Sequence, residues 1–412
     1  DIVCAIASAI VVGGVRRSSC IILTDLDDTA MRAYKSNLPD ELRFREMANI
    51  SAVYDTATPP VHTLMSEWSN LIQHQTGERG IFNRYAARKK LQECGRDNRE
   101  IGCNPCGETL LRDKSFCNLA SVVIYPEDTV EDVEQRLKHA GLLVTVQSLF
   151  TDFGDKIHPE WQANMEEERV VGISLCGIAD NPAMRNISEK ELAGLREYAR
   201  EVTSRVADKL RVTTPKAVTT IKPEGSVSKI CNTSPGIHER LYKKYIGNIR
   251  NDNTDPLLRF LADQGVPMKK LASDIHGKTW VLQFPMESPE QAVTMEDTTI
   301  EDRLALYQKY QNNWCDHNVS CTIHVSSGEE WGKVLAHVCN NWTDLVGITF
   351  FQDSGGSYEA PPYEKVSDEE WQAVYDAFPD HIDWDHLADY EMGDTTVRKL
   401  ECAGGTCHLD FA

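Results

Sequence analysis

The stretch "IGCNPCGETLLRDKSFCNLA", residues 101–120, holds three cysteines, two asparagines and a glutamate within 20 residues. Pro105 disfavours helix, so residues 104–108 read as extended chain or a tight loop. In an extended chain residues two apart point the same way. Asn104, Cys106 and Glu108 would then carry an amide, a thiol and a carboxylate into one space. Pro105 and Gly107 would face away, with Gly107 allowing close backbone approach. Cys117 follows eleven residues after Cys106, a length that suits a loop going out and returning beside its own start.

Around this stretch the chain has ordinary globular proportions. Its 412 residues are 41% apolar and 26% charged, enough for one large α/β unit or two to three smaller domains. No window approaches the run of about 18 apolar residues that a membrane span requires. The formal charge of −20 argues against a general nucleic-acid surface, because binding a phosphate backbone needs clustered Lys and Arg. Any phosphate bound here must be held locally; Arg16-Arg17, Arg88-Lys89-Lys90 and Lys243-Lys244 read as solvated faces or caps. Thirteen cysteines without a secretory leader point to thiol or metal chemistry in a cytoplasmic setting rather than a disulfide framework. The opening run "DIVCAIASAIVVGG" lacks a basic n-region and reads as a buried helix of a longer parent, so an N-terminal part is expected to be missing.

Apolar spacing predicts helices over 61–75, 130–153 and "SEKELAGLREYAREVTSRVADKL". "RRSSCIILTDL" reads as a strand entering a turn at Asp25 to Asp28. The strand candidates "VVGISL", "AVTTI", "WVLQFP", "SCTIHV" and "VGITFF" alternate with helical stretches, the signature of a mainly parallel α/β architecture such as a barrel. Residues 353–366 are rich in turn formers and read as a surface loop before a last helix. "ECAGGTCHLDFA" reads as a mobile tail.

Two other uses of the thiols have to be weighed. Cys103 and Cys106 could be half of a zinc site completed by Cys402 and Cys407, but that would leave Asn104 and Glu108 without a role. A thioredoxin-like pair would need a helix after its second cysteine. Cys4, Cys94, Cys176, Cys231, Cys315, Cys321 and Cys339 read as inert buried thiols. "KPEGSVSK" (222–229) looks like a strand-to-helix turn, suited either to an anion or to an ordinary N-cap through Ser226 and Ser228.

"NPCGE" followed by "CNL" resembles the active-site finger of ribonucleotide reductase catalytic chains, most of all the adenosylcobalamin-dependent, class II group. The resemblance continues in family order through "VVGGVRRS", "GIFNR", "EERVVGISLCGI", "TTIKPEGSVS", "SPGIHER", "WCDHNVSCTI", "YEAPPYE" and "ECAGGTC". It implies an α/β fold, a ten-stranded α/β barrel with the finger at its centre, spanning residues 1–395 and followed by a redox tail over 396–412.

The resemblance also implies roles. Cys106 would be the thiyl-radical site that takes the 3′ hydrogen of a ribonucleotide. Glu108 would be the base on the 3′ hydroxyl, Asn104 would hold ribose hydroxyls, and Cys117 would be one of two reducing thiols. Its partner would lie upstream of residue 1, leaving Cys20 structural. Pro223, Gly225, Ser226, Val227 and Ser228 would receive the substrate's di- or triphosphate. Cys402 and Cys407, flexible about Gly404-Gly405, would re-reduce the site by thiol exchange and be recharged by a thioredoxin-like donor. The chain has no adjacent tyrosine pair of the kind that relays a radical from a separate metal-containing subunit. This favours adenosylcobalamin as cofactor over such a subunit. A deoxynucleotide or ATP effector, a monomeric or homodimeric state, no metal site and no nucleic-acid or membrane partner complete the expectation.

Overall fold

The computed structural model describes residues 1–8, 11–12, 15–16, 19–75, 77–96, 100–271, 279–326, 328–352 and 359–392. They form two compact units: one from residues 1–11, 16–240 and 289–352, the other chiefly from 241–288 and 359–392.

The first unit is built on parallel strands. We label β1 (Cys20–Thr24), β2 (Ala48–Tyr54), β3 (Gly80–Asn83), β4 (Ile101–Cys103), β5 (Leu110–Arg112), β6 (Asn118–Val123), β7 (Val171–Cys176), β8 (Thr322–Val325) and β9 (Gly347–Gln352). β1, β2 and β3 pair in parallel, with Cys20 opposite Ala48 and Ser51 opposite Gly80. β3 then meets β9 antiparallel, Ile81 opposite Ile348. From β9 the strand path continues in parallel: to β8, through the bridge Ile221–Val319 to residues 217–221, through Ile173–Thr219 to β7, and on to β6. Parallel neighbours require crossovers, which the helices Val61–His74, Val130–Gln147, Glu189–Leu210, Ile300–Asn313 and Gly328–Asn340 supply.

The local sequence explains these elements. Val171–Cys176 is buried along its whole length, as expected for a parallel strand covered on both faces. Thr129 with Asp132, Ser188 with Glu191 and Thr299 with Asp302 form reciprocal capping boxes that start three of the helices. Gly141 lets two helices touch, since a Cβ there would lie 2.7 Å from Val202 Cγ1. The main core gathers Ile173, Leu175, Val218, Ile221, Tyr307, Trp314 and Ile348 between strands and helices.

The second unit is an antiparallel sheet in the order Met268–Lys270, Thr279–Glu287, Lys244–Asp252, Tyr363–Lys365, with a small core around Leu258, Phe260 and Leu282. "WVLQFP" therefore belongs to an antiparallel sheet rather than to the parallel set. Part of the loop expected over 353–366 is instead the strand Tyr363–Lys365, paired with Tyr245–Gly247. The buried helix expected over 1–14 ends at Ser8, and Ile2, Val3 and Ile6 are exposed. Cys402 and Cys407 lie outside the described residues. Among the described residues no helix is long and apolar enough to cross a membrane.

Candidate active site

β4 and β5 form a two-stranded hairpin, Cys103 opposite Leu110, whose loop carries residues 104–109. The loop is a turn and not extended chain. The Gly107 N–H donates to the Asn104 carbonyl at 2.9 Å, which places Pro105 and Cys106 at the turn's centre. Gly107 follows with φ +80°, a left-handed conformation that glycine adopts without strain. The Asn104 side-chain oxygen is occupied by the Thr109 N–H at 2.9 Å. Of the two readings open for residues 104–108, extended chain or tight loop, the structure shows the tight loop, in which Asn104, Cys106 and Glu108 do not alternate along a strand: Pro105 and Gly107 fit both, and the short hairpin selects the turn.

The turn is held by its backbone. Asn49 Nδ2 donates to the Pro105 carbonyl at 2.9 Å, Ser320 Oγ to that of Cys106 at 2.7 Å, and Asn318 Nδ2 to that of Gly107 at 2.9 Å. The Glu108 carbonyl accepts from Thr220 Oγ1 at 2.7 Å and from the Asn318 N–H at 3.1 Å. Four successive carbonyls are therefore satisfied by residues of β2, of the 217–221 strand and of the segment leading into β8, as a loop inside a fold must be. At the hairpin's base His317 is fully buried. Its Nδ1 accepts from the Leu110 N–H at 3.2 Å, so Nε2 carries the proton and donates to the Val171 carbonyl at 3.0 Å. Burial, helped by nearby Arg96, pulls His317 down to about 4, so the ring is neutral at neutral pH. Arg96 also donates to the Leu110 carbonyl and pairs with Glu168, both at 3.0 Å.

Two groups of side chains flank the turn. On one, the Cys106 thiol is exposed into a cavity of about 280 Å³ whose walls include Ile21, Asn49, Ser51, Thr322 and Thr349. Pro223 joins that wall, whereas Asn104, Glu108 and Cys117 do not. On the other, Glu108 is buried at 3% exposure, hydrogen-bonded to Asn104 and within electrostatic reach of Lys222 and Glu224. Burial raises the Glu108 carboxyl above the usual range, against the lowering effects of Asn104 and Lys222. Its Oε2 has no hydrogen-bond partner among the described residues. Cys117 neighbours Thr109, Glu108 and Lys222; burial raises its thiol. Burial of the half-buried Cys103 thiol, beside Glu108 and Cys106, pushes it up to about 12.

In the 222–229 segment the left-handed residue is Glu224 (φ +55°) rather than Gly225. The helix Val227–Cys231 has only five residues, and Ser226 makes no side-chain cap. The Ser228 N–H already donates to the Glu224 carbonyl at 2.9 Å, and its buried hydroxyl has no partner among the described residues. Gly225 and Ser226 are exposed. The residues that bracket the turn, Asn49, Thr220, His317, Asn318 and Ser320, escaped the sequence reading. Their only signal was polar side chains set inside otherwise apolar segments, "ANISAVY" (48–54) for Asn49, "AVTTI" for Thr220 and "WCDHNVSCTI" for the other three.

The chain as a whole is similar to known proteins. Residues 34–217 match the model of the ribonucleotide reductase barrel domain. A protein of Mycobacterium phage D29 is 24% identical over 98% of this chain and 62% of its own length. One of Lactobacillus acidophilus is 25% identical over 99% and 59%. Both carry the name adenosylcobalamin-dependent ribonucleoside-triphosphate reductase. The chain thus spans about three fifths of the length of these relatives. Among solved structures, a B12-dependent, class II ribonucleotide reductase superposes with a TM-score of 0.74 at 20% identity, over 96% of this chain and 57% of that one. The alpha subunit of the class Id enzyme of Actinobacillus ureae gives 0.55 at 14% identity, over 81% and 70%. The likeness establishes an α/β fold of the ribonucleotide reductase type.

Proposed function

We propose that this chain, which resembles the catalytic chains of adenosylcobalamin-dependent ribonucleotide reductases, reduces ribonucleoside triphosphates to 2′-deoxyribonucleotides by a thiyl-radical route. The observation that carries the reading is the bracketed turn: an exposed thiol at its tip, with a buried carboxylate and a second thiol behind it. The eight strand segments fit a ten-stranded barrel around that turn.

The cavity beside Cys106 is of a size for one nucleoside-sized group, and the polar atoms of Asn49, Ser51, Thr322 and Thr349 suit hydroxyls and ring nitrogens. That fits the adenosyl part of adenosylcobalamin, which when bound supplies the initiating radical by homolysis. The ribose of the substrate takes the place between the Cys106 thiol and the side chains of Asn104, Glu108 and Cys117.

There the Cys106 sulfur radical takes hydrogen from C3′, and Glu108 accepts the 3′-hydroxyl proton at its unpartnered Oε2. Its raised proton affinity makes it a stronger base than a free carboxylate. The 2′ hydroxyl leaves as water with a proton from the raised, protonated Cys117 thiol. The second thiol delivers its hydrogen to C2′, Cys117 and that thiol together lose two electrons and form one disulfide, the sugar gains those two electrons, and Glu108 returns its proton to the 3′ oxygen. Cys106 returns its hydrogen to C3′. Cys402 and Cys407 are the pair that exchanges with this disulfide, with a thioredoxin-like donor behind them, and Pro223, Gly225, Ser226, Val227 and Ser228 take the substrate's phosphates.

The test is product formation. The chain with adenosylcobalamin, a ribonucleoside triphosphate and a dithiol should yield deoxyribonucleotide, and Cys106→Ala and Glu108→Gln should yield none. Product from Cys106→Ala would overturn the assignment.

A further inference from the structure

Lys222, Glu224 and Ser121 form a closed polar cluster that the chemistry above does not use. Lys222 Nζ donates to Ser121 Oγ at 2.8 Å and lies 3.4 Å from Glu224 Oε2; Ser121 Oγ in turn donates to the same Oε2 at 3.0 Å. The Glu224 side chain is wholly buried, and its second oxygen, Oε1, has no partner among the described residues. The residue is also held at φ +55°, where a side chain is strained. A buried carboxylate with one oxygen unpaired, on a strained backbone, is costly to keep. The folded chain gains little from it that a glycine would not give.

We propose that Glu224 is a built-in occupant of the anion site: it holds Lys222 in the nucleotide-free chain and gives it up to the phosphates of an incoming nucleotide. The inference rests on the reading of residues 223–228 as the phosphate-docking segment. Three observations carry it further. Lys222 is a cation in electrostatic reach of both Glu108 and Cys117, so it stands beside the groups proposed to face the reacting sugar. It sits next to Pro223 at the start of the docking segment. A triphosphate also brings several negative charges to a place where Glu108 and Glu224 already outnumber Lys222, so one carboxylate must yield its partner. The Lys222 side chain is 22% exposed, and a short swing of its flexible stem suffices for the exchange. The exchange makes and breaks only ion pairs and hydrogen bonds. It would couple phosphate docking to the charge beside Glu108.

The experiment is equilibrium binding of the four ribonucleoside triphosphates and of inorganic tripolyphosphate to the full chain and to Glu224→Gln, Glu224→Gly, Lys222→Met and the double variant Lys222→Met/Glu224→Gln. Removing the competing carboxylate should tighten binding about five- to tenfold in both Glu224 variants, the equivalent of one ion pair. Glycine suits φ +55°, so that variant tests the charge without backbone strain. Lys222→Met should weaken binding about tenfold or more, and the gain from Glu224→Gln should vanish in its background. Unchanged or weaker binding by both Glu224 variants overturns the exchange, as does a gain that persists without Lys222. The two Glu224 variants decide the matter even where Lys222→Met does not fold. A wild-type chain that binds none of the nucleotides overturns the docking reading itself.

Discussion

Protonating His317 should unlatch the hairpin that carries Cys106. The neutral ring accepts the Leu110 N–H at Nδ1 and donates from Nε2 to Val171, and a second proton would abolish the first bond. The native value is about 4 against 6.5 for a free imidazole. Because the folded value is depressed, the stability it brings is fully present above about pH 6.5 and is lost as pH falls toward 4. Linkage over that window gives a loss of about 2 kcal/mol between pH 7.5 and pH 5, and about 3 kcal/mol once both states are protonated. The assay is urea unfolding followed by tryptophan fluorescence at the two pH values, in the wild type and in His317→Asn. Asparagine keeps an oxygen near the place of Nδ1 and removes the titration. The wild type should lose about 2 kcal/mol more than the variant on acidification. Equal losses would refute the reasoning, since they would mean that the buried ring does not titrate with unfolding.

Three further outcomes follow from the same geometry. Gly107→Ala should destabilise the chain by about 1–2 kcal/mol in the same unfolding assay, through φ +80° alone, because a Cβ there would meet nothing within 4 Å. Glu108→Gln should stabilise the chain at neutral pH. A carboxyl raised by burial weakens the fold as pH rises through its unfolded value, so the advantage should disappear near pH 4; a pH series of urea midpoints reads it. Arg96→Met leaves Glu168 buried without this partner, and should lower stability by about 3–5 kcal/mol in calorimetry or urea.

How much of this was legible in the sequence depends on what each residue does. Asn104, Cys106, Glu108 and Cys117 were found because rare residue types stood at telling spacings. Their arrangement was not, since Pro105 and Gly107 are as compatible with a strand as with a turn. The parallel strands were readable as short apolar runs such as "VVGISL" and "VGITFF", bounded by helical stretches. "WVLQFP" reads the same way, and only its pairing with Lys244–Asp252 reveals the antiparallel second unit. The bracket of Asn49, Thr220, His317, Asn318 and Ser320 stayed hidden because it grips backbone carbonyls and an N–H, and such contacts leave no complementary side chain to look for. Glu224 was masked by its motif: beside Gly225 and Ser226 it looked like filler, and its left-handed backbone and ion pair exist only in the folded chain.

The central claim, that Cys106 is the radical site, is tested most directly by anaerobic freeze-quenched electron paramagnetic resonance. The chain would be mixed with adenosylcobalamin, a ribonucleoside triphosphate and a deoxynucleotide effector, beside Cys106→Ala. The account predicts a paramagnetic signal with the coupling of a sulfur-centred radical in the wild type and none in the variant. The same signal in Cys106→Ala, or no signal in the wild type, would contradict it.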